Sequence, residues 1–424
     1  MVKKVKEGYK KTELGWIPDE WEFKPLKQIC YIKGRIGWQG LKKEEFIDEG
    51  PYLITGVNFD RGKIIWSECY HISNERYEQA PEIQLKLGDV LMTKDGTIGK
   101  LLYVDDLPDK ASLNSHLFVM RSLNENFNTK YFYYHLESQM FKKYIDNNKT
   151  GSTMPAITQG AMEKYEILLP LLKEQQKIAE ILSTVDSQID DTDKLIEKTK
   201  ELKKGLMQRL LTKGIGHKEF KMTEIGEIPV EWKVKQIIQV SDTTSGGTPS
   251  RSKKHYYQSG NICWVKTGEL GNKYIYDSEE KITDIAVKES SAKLIPINSV
   301  IVAMYGATIG KISINKKEVT TNQACCSITC KQEVINYEFL FYNLSFYKEK
   351  LIDLGAGGAQ SNISQQIIKS FKITVPSLKE QNKIANILSS VDTQIEEYEN
   401  KKKKLEELKK GLMQKLLTGK IRVL

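Results

Sequence analysis

The sequence predicts a mixed protein of the α+β kind, in which two α/β domains are separated by two long antiparallel coiled-coil helices in a pseudo-twofold internal repeat. Three observations predict this architecture: the length of 424 residues, a duplication that relates the two halves, and a proline-free amphipathic segment near the end of each half. A chain of that length exceeds one ordinary domain and is expected to form two to four.

The composition indicates a folded chain in the cytoplasm. A hydrophobic fraction of 40% and a charged fraction of 28% exclude a wholly disordered protein. The 64 Lys and Arg residues exceed the 55 Asp and Glu residues and give a net charge of +9, which is compatible with a polyanionic partner without requiring one. We expect the six cysteines to be reduced thiols, and neither a secretory signal nor a membrane span is predicted.

The duplication is the strongest signal. Residues 170–190 return as residues 376–396, an offset of 206 positions, with 15 of 21 residues identical, and residues 201–212 return as 407–418 with only Arg209 changed, to Lys415. Residues 12–21 and 97–100 match residues 223–232 and 308–311, both at an offset of 211. The sequences between these anchors diverge almost completely. Each half therefore has a variable front part and a repeated rear part.

The repeated rear parts are predicted to be long helices. Residues 173–212 contain no proline, and apolar residues recur in steps of three, four and seven, as in a coiled coil. Each helix would be about 60 Å long. Its apolar stripe needs a partner, which we expect to be the other copy, although packing on its own half is the alternative. Gly205 and Gly411 indicate a kink, a close backbone approach or a fraying end. The stripe comprises Ile178, Leu182, Val185, Ile189, Ile196, Leu202, Leu206 and Leu210, and its copy comprises Ile384, Leu388, Val391, Ile395, Tyr398, Leu405, Leu408, Leu412 and Leu416.

The front parts have the pattern of α/β domains. Residues 90–93 and 300–305 are predicted to be buried strands followed by glycine turns, and residues 131–141 and 337–344 to be aromatic-rich helices. The predicted boundaries are residues 1–170 for the first domain, 171–216 for the first long helix, 217–375 for the second domain and 376–424 for the second long helix.

No catalytic, metal or cofactor motif is complete. Residues 306–311 resemble a phosphate-binding loop but are one residue short, and Ile312 replaces the hydroxyl residue that would bind Mg²⁺. Cys326 and Cys330 lack the further ligands of a metal site. Glu279 and Lys281 have the spacing of some nucleases, but this spacing arises freely in a lysine-rich chain. We therefore predict a non-catalytic chain.

The Ile-Pro-x-x-Trp openings, the Gly-Lys turns and the Lys-Glu-Gln-x-Lys-Ile-Ala-x-Ile-Leu-Ser segments at residues 173–185 and 379–391 resemble the specificity subunits of type I restriction–modification systems. The resemblance covers nearly the whole chain. It implies two target-recognition domains, each of which reads half of a bipartite sequence in double-stranded DNA, with the two helices acting as a ruler. It also implies that the helices dock two methyltransferase (modification) subunits, which carry S-adenosylmethionine, and that restriction subunits using ATP and Mg²⁺ join the complex.

If the chain reads DNA, base contacts should lie where the halves differ, because repeated residues cannot distinguish two half-sites. Arginine pairs naturally with guanine and glutamine with adenine. The dissimilar front parts imply an asymmetric target. The alternative is that Trp38 anchors a loop in the core and that Lys253 and Lys254 are ordinary solvated charges. The candidates are Lys33, Arg35, Trp38 and Gln39 in the first half, and Thr248, Ser250, Arg251, Lys253 and Lys254, after a flexible Gly246–Gly247 loop, in the second.

Further candidates occupy the shared turns and the loops that precede the long helices. Lys100 and Lys311 are better suited to a scaffold or to phosphate contacts, since both halves have them. The polar loops contain Lys149, Thr150, Ser152 and Thr153 in the first half and Gln360, Ser361 and Asn362 in the second. The alternative is that these loops are simple turns.

Two other functions stay open from the residues alone: a stand-alone DNA-modifying enzyme with an unrecognised site, and a coiled-coil scaffold.

Overall fold

The computed structural model describes residues 7–12, 15–35, 41–60, 62–151, 153, 155–355 and 362–423. The chain divides into two compact units: unit 1 contains Met1–Thr192 and Lys401–Leu424, and unit 2 contains Asp193–Asn400. Unit 1 is therefore built from both ends of the sequence, whereas unit 2 is one continuous stretch. Both units are mixed α/β, which confirms the predicted fold class.

The front part of unit 1 contains short strands with three helices near its end. Short 3-10 turns connect several of them. The elements are β1 (Tyr9–Thr12), β2 (Gly15–Pro18), β3 (Glu22–Pro25), α1 (Leu26–Ile29), β4 (Cys30–Lys33), β5 (Ile47–Ile54), β6 (Phe59–Asp60), β7 (Lys63–Ile64), β8 (Tyr70–His71), α2 (Asn74–Glu78), β9 (Val90–Thr93), β10 (Leu101–Tyr103), β11 (Ala111–Leu113), β12 (Leu117–Ser122), α3 (Thr129–Glu137), α4 (Gln139–Asn148), α5 (Gln159–Lys164), β13 (Glu166–Leu169) and the long helix α6 (Leu172–Thr212).

Unit 2 has a closely similar series, with the single strand β19 in place of the β6–β7 hairpin. Its elements are β14 (Phe220–Thr223), β15 (Gly226–Pro229), β16 (Lys233–Gln236), α7 (Ile237–Val240), β17 (Ser241–Ser245), β18 (Ile262–Val265), β19 (Tyr274–Ile275), β20 (Lys281–Ile282), α8 (Asp284–Glu289), β21 (Val300–Ala303), β22 (Ile312–Asn315), β23 (Val319–Thr321), β24 (Cys325–Cys330), α9 (Tyr337–Phe346), α10 (Lys348–Asp353), α11 (Gln365–Ser370), β25 (Lys372–Val375) and the long helix α12 (Leu378–Leu416).

The two units share one sheet topology. The main sheet of unit 1 has the order β10-β9-β12-β4, and that of unit 2 has the order β22-β21-β24-β17 with β19 added beside β22. A second, three-stranded sheet has the order β11-β5-β8 in unit 1 and β23-β18-β20 in unit 2, with one parallel pair in each. Equal strand order on such different sequences shows that the divergent front parts are two versions of one fold.

The core of each unit forms where the sequence places its apolar runs. Every residue of β9 and of β21 is buried, as predicted, and the aromatic helices α3 and α9 pack against these sheets. Both helices begin at an asparagine whose side chain accepts from the first turn, Asn128 from the backbone N–H of Tyr131 and Asn336 from that of Phe339. The capping residue therefore fixes the register of each aromatic helix.

The two long helices are confirmed, and each belongs partly to both units. Helix α6 begins in unit 1 and ends in unit 2, whereas α12 begins in unit 2 and ends in unit 1. Within unit 2, Lys200 pairs with Glu399 at 3.0 Å and Lys203 with Asp392 at 2.6 Å. Because the partner number falls as the α6 number rises, the two helices run antiparallel there.

Two residues of the predicted apolar stripe do not face the core. Leu202 is 53% exposed and its counterpart Leu408 is 50% exposed, whereas Ile178 and Leu182 are fully buried. A side chain at Gly205 or Gly411 would meet nothing within 4 Å, so of the three alternatives the close backbone approach is not found within the described chain. In the described part of the chain, no helix has both the length and the apolar character that a membrane crossing requires.

Candidate nucleic-acid interface

Each unit is fixed to the start of a long helix by a carboxylate that accepts an indole N–H. In unit 1, Trp21 Nε1 donates to Glu174 at 2.9 Å, and Arg422 Nε donates to the same carboxylate at 2.7 Å. In unit 2, Trp232 Nε1 donates to Glu380 at 3.0 Å. The tryptophans of the repeated openings and the glutamates of the repeated helix motif therefore belong to the scaffold, as their repetition predicts.

A second duplicated contact joins the aromatic helix to both long helices. In unit 1, the hydroxyl of Tyr134 donates to Asp186 at 2.8 Å, and Lys409 Nζ lies 2.8 Å from the same carboxylate. Lys409 comes from α12 and Asp186 from α6, so one ion pair ties the two helices together. The same arrangement in unit 2 uses Tyr342, Asp392 and Lys203.

The first variable loop starts at Lys33, the half-buried last residue of β4. Arg35 is only 3% exposed: its Nε donates to the carbonyl of Leu113 at 2.8 Å and its Nη2 to Ser112 Oγ at 3.0 Å. Burial lowers the pKa of Arg35 to about 10. Its guanidinium thus ties the loop to β11, and a base contact would have to break these bonds. The other two candidates of this loop, Trp38 and Gln39, lie outside the described residues.

Sequence reasoning missed a polar cluster next to this loop. Lys94 follows β9 directly, and its Nζ lies 5.5 Å from the ring centroid of Phe118. Nδ1 of His116 lies 2.7 Å from Oδ1 of Asp95, and the His116 side chain is 58% exposed. The signal available in the sequence was the position of Lys94 and Asp95 immediately after a buried strand, where loops often carry function.

Lys100 and Lys311 occupy the same turn in the two units. The carbonyl of Lys100 accepts from the backbone N–H of Thr93 at 3.0 Å, and the carbonyl of Lys311 accepts from that of Ala303 at 2.9 Å. The Lys100 side chain is exposed, and its Nζ donates to the carbonyl of Gly56 at 3.2 Å. A shared turn of this kind suits phosphate contacts, because it cannot tell one half-site from another.

The polar loops that precede the long helices lie at the surface. Lys149, Thr150, Thr153 and Asn362 are exposed, and the backbone of Thr150 forms two hydrogen bonds with that of Ala156, each of 2.8 Å. The described part of the first loop is therefore held as a turn. The remaining candidates of these loops, which lie outside the described residues, are Ser152, Gln360 and Ser361.

Arg251 contrasts with Arg35. Its Nη1 and Nη2 donate to the two carboxylate oxygens of Glu280 at 2.8 and 2.7 Å, and its side chain is 54% exposed. The guanidinium carbon lies 4.5 Å from the ring centroid of Tyr257 and 5.1 Å from that of Trp264. The hydrogen bonds to Glu280 raise the pKa of Arg251, so it stays cationic. No sequence spacing links these four residues, because the fold brings them together.

The other candidates of the second variable loop are exposed side chains: Thr248, Ser250, Lys253 and Lys254. Thr248 Oγ1 donates to Gln323, and Lys253 Nζ donates to the hydroxyl of Tyr256 at 2.6 Å. Lys253 is therefore oriented by an aromatic neighbour, and its side chain is 48% exposed.

The two glycines of this loop are packed tightly, and the prediction of a flexible loop is wrong. A Cβ at Gly247 would lie 2.4 Å from the carbonyl carbon of Ser291, and one at Gly246 would lie 2.2 Å from the carbonyl oxygen of Thr321. These positions require glycine because other backbone comes too close for a side chain. The loop that carries Arg251 is thus anchored at its start.

Across the described ranges, no group of three or more His, Cys, Asp or Glu side chains could hold a metal ion. Cys326 and Cys330 lie on one strand, β24, and burial raises the pKa of the Cys326 thiol to about 12, which disfavours the thiolate that a metal requires. Residues 306–308 of the loop that resembles a phosphate-binding motif form a 3-10 turn after β21.

Two α/β units of one topology, joined by two long helices and differing in their surface loops, define a duplicated recognition protein. The family model of the type I restriction modification DNA specificity domain matches residues 18–201 and 229–407 of this chain. The chain therefore belongs to this family.

Individual relatives agree with this membership. The type I restriction enzyme MjaVIII specificity subunit of Methanocaldococcus jannaschii is 30% identical over 433 residues, which cover 98% of this chain and 96% of that protein. The crystal structure of a type I restriction-modification system S subunit from M. genitalium is 15% identical, covers 93% of this chain and 96% of that one, and has a TM-score of 0.61. A chain from a structural study of complex assembly and conformational transition of the type I R-M system is 16% identical, covers 96% and 99%, and has a TM-score of 0.59.

Proposed function

We propose that this chain is the DNA specificity subunit of a type I restriction–modification complex and that it binds an asymmetric bipartite target in double-stranded DNA. Residues 1–170 and 217–375 act as the two target-recognition domains, and residues 171–216 and 376–424 act as the helices that set the spacing between the half-sites. The chain itself carries out no chemistry and works in the cytoplasm. All six cysteines being unpaired supports a reducing compartment.

One observation carries this proposal: the contacts of the scaffold are duplicated, whereas the contacts of the surface loops are not. The tryptophan–glutamate and tyrosine–aspartate–lysine contacts recur in both units, but the loop arginine is buried in unit 1 and exposed in unit 2. Two readers on one scaffold with different surface chemistry would recognise two different half-sites.

We further propose that the long helices dock two modification subunits, which bring S-adenosylmethionine, and that restriction subunits bring ATP and Mg²⁺. Leu202 and Leu408 support this docking, because the same position of both repeats exposes half of a leucine side chain. Gly205 and Gly411 lie one helical turn further along the same face and leave room for a close approach by a partner helix.

The test is to express the chain with its modification subunits and to map the methylated sites of the host genome. We expect a two-part motif with different halves and a fixed spacer. Replacing residues 217–375 by the corresponding domain of another family member should change one half of the motif and leave the other half and the spacer intact.

Two results would overturn the proposal. A continuous or palindromic motif would exclude two different readers. Methylation or cleavage of duplex DNA by the purified chain alone, with S-adenosylmethionine and Mg²⁺, would show that it is an enzyme in its own right.

The role of the helices has its own test. Inserting one helical turn into both long helices should lengthen the spacer, and an unchanged spacer would show that the helices do not set the distance between the half-sites.

A further inference from the structure

Arg251 is held in place by contacts to its loop backbone and to its guanidinium. The loop before it is pinned at two points: Trp264 Nε1 donates to the carbonyl of Gly247 at 3.0 Å, and the hydroxyl of Tyr257 donates to the carbonyl of Pro249 at 2.6 Å. The same two rings then support the guanidinium, whose carbon lies 4.5 Å from the Tyr257 centroid and 5.1 Å from the Trp264 centroid. One pair of aromatic side chains therefore fixes both the backbone and the charged group.

Glu280 fixes the one remaining degree of freedom of the Arg251 guanidinium, which is its rotation within its own plane above the two rings. The carboxylate takes one N–H from Nη1 and one from Nη2, the end-on fork geometry. An arginine has five N–H donors, so the side edge formed by Nε and Nη2 keeps two parallel donors. Among the described residues, no acceptor is bonded to Nε of Arg251. The half-exposed side chain thus has one edge held by protein and another edge available to a ligand.

Two parallel N–H donors match the O6 and N7 acceptors that guanine presents in the major groove of DNA. Phosphate is a poorer match here, since the Glu280 carboxylate next to the guanidinium repels a second anion. Lys266 Nζ lies 3.5 Å from both Glu279 and Glu280, so two cations and two carboxylates balance here and the site has no excess positive charge to attract a phosphate. A guanidinium that is already oriented also loses less side-chain entropy when it binds.

We propose that Arg251 reads a guanine in the half-site bound by unit 2, and that Glu280 is the positioning residue that holds its side edge toward the base, with Tyr257 and Trp264 as the platform. This inference rests on the proposed function and adds a base and a set of roles to it. Arg35, the corresponding candidate of unit 1, has no such role because its donors are spent on Ser112 and Leu113.

The experiment uses the complete modification complex and its mapped target, with each base pair of the target substituted in turn. Methylation rates are compared for the unaltered chain, Arg251→Ala, Arg251→Lys, Glu280→Ala and Glu280→Gln. The control is Lys372→Ala, which removes an exposed lysine that pairs with Glu224 elsewhere in unit 2. This control should leave every base preference unchanged.

We expect the Arg251 variants to lose roughly 10- to 100-fold of the discrimination at one G·C pair, the size of a bidentate contact, and to keep it at the other positions. Arg251→Lys should rescue little, since an ammonium lacks the fork. Glu280→Ala should reduce discrimination at the same pair roughly 5-fold without weakening binding to unrelated DNA, and Glu280→Gln should fall between it and the unaltered chain.

Three results would overturn the inference. A uniform loss of affinity at every sequence, with a shallower salt dependence, would make Arg251 a phosphate contact. If the Arg251 and Glu280 variants lower the thermal stability but leave the discrimination at every base pair unchanged, the cluster has only a structural role. A unit 2 half-site without guanine would exclude the reading altogether. If the unaltered complex methylates no bipartite site, the proposed function fails instead, so the two failures are distinguishable.

Discussion

Arg35 and Arg251 lie in corresponding variable loops of the two units, and they have opposite surroundings. Arg35 is buried and donates to a backbone carbonyl and a buried serine of β11. Arg251 is half exposed, stacked on two aromatic rings and bonded to Glu280. The same side chain therefore holds a loop in one unit and presents a charge in the other.

The difference shows what a duplicated fold conserves and what it leaves free to vary. Two contacts that attach each unit to the long helices recur in both: an indole N–H on a glutamate, and a tyrosine hydroxyl with a lysine on an aspartate. The contacts beneath the loops have no counterparts, because β11 offers a serine hydroxyl to unit 1 and the neighbourhood of β20 offers a glutamate to unit 2. The side-chain contacts of the surface loops thus differ between the two units, although the units share one fold.

The largest effect should be the difference in lost stability between Arg35→Ala in unit 1 and Arg251→Ala in unit 2. Arg35→Ala leaves a buried carbonyl and the fully buried Ser112 without their partner, so we expect unit 1 to lose about 3 kcal/mol of unfolding free energy. Arg251→Ala removes a half-exposed ion pair and should cost about 0–1 kcal/mol. Hydrogen exchange of β9 and β12 in unit 1, and of β21 and β24 in unit 2, measures each unit separately.

Arg35→Lys is the matched control for this comparison. It keeps the charge but can donate to fewer acceptors in the same geometry, so an intermediate loss is expected in unit 1. Equal losses for Arg35→Ala and Arg251→Ala, each in its own unit, would erase the distinction between the two loops.

The contrast between the arginines also marks the reach of sequence reasoning. The duplication, the two long helices, the buried strands β9 and β21 and the aromatic helices α3 and α9 were predicted correctly, because periodicity and repetition are local signals. The burial of Arg35 and the partners of Arg251 were missed, since they depend on residues 77 and 29 positions away. Leu202 and Leu408 fit the heptad pattern and are nevertheless exposed, because periodicity cannot tell which partner covers a stripe.

The next effect concerns what the two halves share. Leu202→Asp and Leu408→Asp should each weaken docking of one modification subunit by roughly 30- to 100-fold, the size of an interface hot spot. Neither should destabilise the chain, because both side chains are half exposed. Native mass spectrometry should show complexes with one modification subunit for each single variant and none for the double variant.

The matched control for docking is Leu123→Asp, a leucine of unit 1 that is 55% exposed and lies off the long helices. Full complexes should persist with this variant. Unequal effects of the two helix leucines would contradict the view that the duplicated surfaces bind two copies of one subunit.

A smaller difference between the units should appear in acid. His135 of α3 and Asn343 of α9 stand at the same distance from their capping asparagines, and both are buried. Burial lowers the pKa of His135 from 6.5 to about 3. The unfolded chain then binds the proton more readily, so the contribution of His135 is complete above pH 6.5 and falls by about 1.4 kcal/mol per pH unit between 6.5 and 3.

Urea unfolding at pH 7.5 and pH 5 measures this effect as a loss of about 2 kcal/mol that His135→Asn should abolish. The reciprocal change, Asn343→His, should bring acid sensitivity to unit 2, where the native amide does not titrate. An unaltered acid response in His135→Asn would mean that other groups dominate.

The smallest effect tests why a glycine stands near the C-terminal end of both long helices, Gly205 in α6 and Gly411 in α12. Gly205→Ala and Gly411→Ala place a methyl group where nothing within the described chain lies closer than 4 Å, so each should stabilise the isolated chain by up to about 1 kcal/mol. Gly214→Ala is the opposite control, because its φ of +65° and the nearby Trp232 ring oppose a side chain. If the helix glycines make room for a docked partner helix, the same two alanines should weaken modification-subunit binding several-fold while raising the melting temperature. A gain in stability with undiminished binding of the modification subunits would show that the glycines have no part in docking. The proposed docking surface would then be supported by the exposed leucines Leu202 and Leu408 alone.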